Sequence, residues 1–184
     1  MKNAKNGPIM GAIAVLLIIL STGLVQAQDA RLLAKVDYAK SGHTLELLTE
    51  LSAEIPVIDI RLAGVQAPDR EQKPWGPEAR QCLSELAAGR VKVEPQSSTP
   101  DSYNRLWAYV WQDGKLVNAA VLATGCAFLD GDRLSQQRYG EQLIYAQESA
   151  RLLGLGIWDP NNPLRETPDS FRQSRQDATP DPIN

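Results

Sequence analysis

Apolar and polar positions alternate in short runs through the first half of the chain and fall at helical spacing further on. Ala30 to Tyr38 (ARLLAKVDY) and Thr44 to Leu51 (TLELLTEL) are apolar-rich, with the turn-like spacer Ala39-Lys40-Ser41-Gly42-His43 between them; they predict a β-hairpin. Ile55 to Val65 alternates in part through Val57, Ile58, Ile60 and Leu62 and predicts a third strand. Pro77 to Ala88 carries apolar or small residues at Ala79, Cys82, Leu83, Leu86 and Ala87, a helical face, with Pro77 suited to a first turn and Gly89 to a stop. Val91 to Glu94 and Leu106 to Gln112 predict two more strands, and Asp113-Gly114 a tight turn. Val117 to Ala123 predicts a helix closed by Gly125, and Glu141 to Leu153 another closed by Gly154. Five strands, with helices after the third and the fifth, predict an α+β fold: a small open barrel with helices packed on it.

Both ends break this pattern. Lys2 and Lys5 precede an uncharged stretch from Asn6 to Gln28 whose core, Ile13 to Leu20, reads IAVLLIIL. A basic start, an apolar run and small residues at Val25 and Ala27 describe a secretory signal cleaved after Ala27. The alternative is an uncleaved anchor that places residues 8–25 in a membrane. Either one puts the folded part outside the cytoplasm, secreted, periplasmic or membrane-anchored. From Pro160 to Asn184 the chain has five prolines and only Leu164, Phe171 and Ile183 as large apolar residues, which predicts a disordered polar tail. The expected organisation is therefore residues 1–27 as signal or anchor, 28–159 as one domain, and 160–184 as tail.

Charge and cysteine content narrow the chemistry. The formal charge of −3 becomes −5 once residues 1–27, with Lys2 and Lys5, are removed. That balance argues against broad, non-specific coating of nucleic acid, though not against a local basic cleft. The two cysteines, Cys82 and Cys126, have two readings: a disulfide in an oxidising compartment, or two small buried apolar residues.

Several blocks carry more information than the periodicity. They are Ile60-Arg61-Leu62-Ala63-Gly64-Val65-Gln66-Ala67-Pro68-Asp69, Pro74-Trp75-Gly76-Pro77-Glu78-Ala79-Arg80, Asp101-Ser102-Tyr103-Asn104-Arg105-Leu106-Trp107-Ala108-Tyr109, Gly114-Lys115-Leu116-Val117-Asn118 and Gly154-Leu155-Gly156-Ile157-Trp158. In this order and spacing they resemble the staphylococcal nuclease (thermonuclease) family, from about Ala30 to Asp159. The resemblance implies a five-stranded OB-type β-barrel with about three packed helices. It also implies two arginines on the scissile phosphate, a calcium ion held by carboxylates and a backbone carbonyl, and a glutamate as general base. Phosphodiester cleavage gathers negative charge on the phosphoryl oxygens, so guanidinium forks and a cation suit it.

Carried over residue by residue, the resemblance marks Arg61 and Arg105 as catalytic, phosphate-binding arginines, Tyr103 as a further phosphate contact, and Asp69 as the base, shorter than a glutamate by one methylene. The plain alternative for each arginine is a surface ion pair, and Asp59, two residues before Arg61, could neutralise it. The carboxylates of the calcium site are replaced. Where the family has Asp-Gly-Asp-Thr this chain has Ser41-Gly42-His43-Thr44, and Gln66 stands where an aspartate is expected. No metal ligand set follows from these positions; His43 and Gln66 are the remaining candidates and would suit zinc or another transition ion better than calcium. The plainer reading of His43 is a turn histidine with no ligand role. Glu71 lies near enough in sequence to stand in for the base. Trp75, Tyr103, Trp107, Tyr109 and Trp111 are either base-stacking platforms or core, while Asp101, Asn118 and Gly76 read as turn, helix cap and tight packing.

Two functions fit. One is a binding module for nucleic acid, a nucleotide phosphate or a protein partner, with little calcium-dependent hydrolysis. The other is an active phosphodiesterase cleaving DNA or RNA with Arg61, Arg105 and Asp69.

Overall fold

The structure, a computed structural model, describes residues 31–131 and 138–177. The expected signal or anchor and the last seven residues lie outside that range, as does the start of the first expected strand at Ala30. Among the described residues no helix is long and apolar enough to cross a membrane.

A long strand β1 (Leu32–Ser41) turns through Gly42-His43 into β2 (Thr44–Leu47), and β3 (Asp59–Leu62) pairs with β2 antiparallel. After the short β4 (Val65–Gln66) comes helix α1 (Trp75–Leu86), then β5 (Arg90–Pro95) and β6 (Arg105–Gln112). The strands run β3-β2-β1-β5-β6, and a parallel β3–β6 pairing joins the two ends of that run. A two-residue β7 (Lys115–Leu116), helix α2 (Val117–Ala123), β8 (Phe128–Leu129) paired with β4, and helix α3 (Gly140–Leu153) complete the domain. This is the expected α+β fold, with a mostly antiparallel sheet.

Alternation decides which side chains fill it. Leu45 and Leu47 of β2, Ile60 and Leu62 of β3, Val91 and Val93 of β5, and Leu106, Ala108 and Val110 of β6 are all buried. Each Leu, Ile or Val among them, withdrawn from water, contributes roughly 1.5–3 kcal/mol. The opposite positions of β3 and β6 therefore leave the core, and the parallel register sets Asp59 beside Arg105 and Arg61 beside Trp107. Tyr109, though on that second face, is also buried, and Tyr139 stands edge-on to both Tyr109 and Trp111 at 4.7 and 5.4 Å between ring centres. These aromatics are packing.

The structure departs from the sequence expectations at several points. The third strand is shorter than Ile55 to Val65: it begins only at Asp59, and at its far end Gly64, at φ +72°, turns the chain and separates β3 from β4. Asn118 is structural, but not as a cap. It lies inside α2 with no solvent exposure; its Oδ1 accepts from Val110 N–H at 2.9 Å and its amide donates to the carbonyls of Ala63 and Ala108. Of the two cysteine readings the bridge is present: Cys82 on α1 is joined to Cys126 after α2, with Cα atoms 6.5 Å apart. Within the stretch expected as a disordered tail, Pro168–Asp177 forms a helix, α4. Little apolar surface holds it, only Pro168 being buried. Its contacts are polar, which is why composition gave no sign of it.

Two glycines bring the loops of one face together. A Cβ on Gly42 would stand 2.5 Å from that of Ala79 and 2.7 Å from that of Ala67, so the β1–β2 turn presses on α1 and on the segment after β4. A Cβ on Gly76 would meet the Asp69 carbonyl at 2.0 Å, so α1 begins directly against the Asp69 loop. Tight packing was the role read for Gly76.

Candidate functional site

Those loops, with the ends of β1, β3 and β6, surround a cleft of about 260 Å³ lined by Lys40, Ser41, His43, Thr44, Asp59, Pro68, Asp69, Arg70, Arg105 and Arg172. The lining carries four cations, Lys40, Arg70, Arg105 and Arg172, against two carboxylates, Asp59 and Asp69. A chain that is acidic as a whole thus has a locally cationic concavity. Its volume suits a phosphate and part of what is attached to it.

Arg105 reaches this cleft and is held there. Asp101 Oδ2 accepts from its Nε and Nη2 at 2.9 and 2.7 Å, and Asp101 Oδ1 accepts from its backbone N–H at 3.0 Å. The guanidinium also lies 4.9 Å from the ring centre of Tyr103. Tyr103 itself is 75% exposed and stands outside the cleft lining. Burial pushes the Asp101 carboxyl up, but hydrogen bonds from the Arg105 side chain and from two backbone N–H groups bring it below the ordinary range.

Arg61 is placed differently. It is 6% exposed, its Nη1 donates to the carbonyls of Leu62 and Val65, and it lies 4.9 Å from the Trp107 ring centre. It belongs to the wall behind the cleft rather than to its lining. Burial, helped by the nearby Arg105, lowers its guanidinium to about 10, so it stays charged at neutral pH. Asp59 does not neutralise it; both Asp59 oxygens accept from Lys40 Nζ, at 3.0 and 2.8 Å.

His43 accepts the Ala67 N–H on Nδ1 at 3.0 Å. Burial, and then the positive charges of Arg61, Arg105 and Arg172, hold its pKa well below the ordinary histidine value. The ring is therefore neutral with its proton on Nε2. Gln66 points its amide at α4 and donates to Asp169 Oδ2 at 2.9 Å. Asp69 accepts the Glu71 N–H at 3.0 Å, and Arg172 of α4 approaches it to 3.9 Å. Glu71 pairs with Arg175 of the same helix, and Gln72 donates to the Glu166 carbonyl just before it. Among the described residues no three His, Cys, Asp or Glu side chains cluster closely enough to hold a metal ion.

The structure thus gathers Arg105, Asp69 and His43 in one cleft, sets Arg61 behind it, and leaves Tyr103 and Trp107 to flank the two arginines. Sequence reasoning missed Asp101 as the anchor of Arg105, although opposite charges four residues apart across a turn were a visible signal. It also missed Asp169 and Arg172, for which periodicity offered none.

A sequence model of the family described as staphylococcal nuclease homologue matches residues 59–160. An uncharacterized endonuclease of Haemophilus influenzae is 28% identical over 162 residues, covering 87% of this chain and 84% of that protein. The SPbeta prophage-derived endonuclease YokF of Bacillus subtilis is 26% identical over 129 residues, covering 68% of this chain and 44% of its own length. The thermonuclease of Staphylococcus hyicus is 28% identical over 106 residues, covering 54% of this chain and 62% of its own. With the family match spanning more than half of its residues, the blocks around Arg61 and Arg105 inside it, and the α+β fold that those blocks imply, the chain belongs to the staphylococcal nuclease homologue family.

Proposed function

We propose that the protein is an exported nuclease-family domain whose cleft binds the phosphates of nucleic acid but which has little calcium-dependent hydrolysis. The cluster of Lys40, Arg70, Arg105 and Arg172 around one concavity carries the binding part of this reading. A guanidinium held by a carboxylate on one side is preorganised to meet a phosphate on the other.

The donor set does not fit calcium, which takes several hard oxygens, mostly carboxylate. At the four positions that the resemblance marks stand Ser41, His43, Gln66 and Asp69, a single carboxylate among them. The Nδ1 lone pair of His43 is taken by Ala67 N–H, and Gln66 is engaged with Asp169. A transition ion fares no better while that histidine bond is made. Asp69 is one methylene shorter than the base it replaces, and a misplacement near 1 Å can cost on the order of a hundredfold in rate. Export is supported by the basic start with its Ile13–Leu20 core and by the Cys82–Cys126 bridge, which suits an oxidising compartment.

The names of the relatives favour a second reading: an active phosphodiesterase with Arg105 and Arg61 stabilising phosphoryl charge and Asp69 as base. Binding is tested by fluorescence anisotropy with single-stranded DNA and RNA in chelator. Arg105→Ala is expected to weaken binding by about 1.5–3 kcal/mol, the value of a charge-assisted contact. Equal binding by wild type and variant would show Arg105 to be a surface residue.

A further inference from the structure

Helix α4 does not lie on the domain at random; every polar contact noted above goes to the segment Gln66–Gln72. Within it, Gln66 donates to Asp169 Oδ2, while Asp169 Oδ1 accepts from Arg172 Nη2. This relay, Gln66 to Asp169 to Arg172, delivers a guanidinium to the cleft that also holds Arg105. Residue identity at position 66 matters for the relay. An aspartate there would set a second negative charge against Asp169, whereas the amide donates to it. The amide at this position is thus bonded to a carboxylate of α4 that lies 103 residues away in the chain.

We infer that Arg172 is an anion-binding residue of the cleft: α4 supplies a fixed cation beside Gln66, so that a phosphate is met by Arg105 and Arg172 without a metal ion. This rests on the reading of the cleft as a phosphate site. Arg172 is half-buried, its charge balanced by Asp169 and, more distantly, by Asp69 at 3.9 Å, and a phosphate entering the cleft gives it a third partner. The arrangement follows the same rule as Arg105 with Asp101, a carboxylate behind the guanidinium fixing its fork.

Inorganic phosphate, titrated into full-length protein in chelator and followed by calorimetry or NMR shifts, tests this. Arg172→Gln is expected to weaken binding by at least about tenfold, the loss of one charge-assisted contact. Arg172→Lys keeps the charge and should recover a large part of that loss. Arg151→Gln, which removes a cation paired with Glu148 on α3, should leave the affinity as it was. Thermal melts confirm that each variant is folded. Unchanged affinity in Arg172→Gln, with Arg105→Ala impaired, overturns the inference and leaves the phosphate cleft standing. Tighter binding in Arg172→Gln overturns it too, and makes α4 a helix that blocks the cleft. Failure of the wild type to bind, or wild-type affinity in Arg105→Ala, overturns the reading of the cleft itself.

Discussion

Asp101 holds Arg105 from two directions, accepting from its guanidinium on Oδ2 and from its backbone N–H on Oδ1, so one carboxylate fixes both the chain and the fork of the cleft arginine. Its Oδ2 also accepts Trp107 Nε1 at 3.2 Å. Removing these partly buried, charge-assisted bonds by Asp101→Ala should cost about 2 kcal/mol of stability. Because the Asp101 carboxyl lies below its unfolded value, its contribution is present above the ordinary carboxylate range and is lost as pH falls through the folded value. The stability gap between wild type and Asp101→Asn should therefore close below about pH 4. Denaturant midpoints between neutral and acid pH check this, and a gap that persists undiminished at low pH would contradict it.

His43 is the chain's one histidine, and so its one side chain whose ordinary pKa lies between pH 5 and 8. Burial and three arginines keep His43 neutral in the folded state, whereas in the unfolded chain it titrates near pH 6.5. The unfolded state gains a proton that the folded state refuses, so stability present above about pH 6.5 is lost as pH falls below it. Wild-type midpoints should drop between pH 7 and pH 5.5, and His43→Gln should flatten that slope. A wild type with the same midpoint at both values would show the ring to be accessible and chargeable.

Asn118 joins α2 to β6 and to the turn after β3 through three hydrogen bonds at a site without solvent. Replacement by leucine, similar in size, leaves the Val110 N–H without its partner in the interior. The expected loss is about 3 kcal/mol, read from urea midpoints at unchanged slope. A loss under about 0.5 kcal/mol would mean that water enters and replaces the amide.

What the sequence disclosed follows the range of the forces involved. Strand alternation is a local pattern, so Asp59-Ile60-Arg61-Leu62 already separates a core face from a cleft face, and the parallel pairing with β6 respects that separation. Asn118 reads as a cap, because its true partners lie on Val110, Ala108 and Ala63, up to 55 positions away. Arg61 reads as a phosphate ligand, and only the folded chain shows its Nη1 bonded to carbonyls. Helix α4 was illegible for a different reason. It is held by Asp169, Arg172 and Arg175 on Gln66, Asp69 and Glu71, partners far back along the chain and outside any apolar stripe, and composition alone sees only a polar, proline-rich end.

The Cys82–Cys126 bridge closes a loop of 44 residues between α1 and the turn after α2. By chain entropy such a loop is worth about 4 kcal/mol. Protein isolated from its own compartment should carry no thiol open to alkylation and should begin at or near Gln28, the expected signal cleavage point. The Cys82→Ala/Cys126→Ala variant should melt well below the wild type. Two alkylated cysteines would refute the bridge, and an intact Met1 in a soluble cytoplasmic fraction would refute export.

The most direct measurement is cleavage itself. Full-length protein is incubated with single-stranded DNA and RNA in calcium, in zinc or manganese, and in chelator, beside a variant combining His43→Asp, Gln66→Asp and Asp69→Glu. The wild type is expected to bind but scarcely cleave under any of these conditions, and the variant to gain some calcium dependence from its added carboxylates. Robust wild-type cleavage that calcium stimulates and chelator abolishes would contradict it.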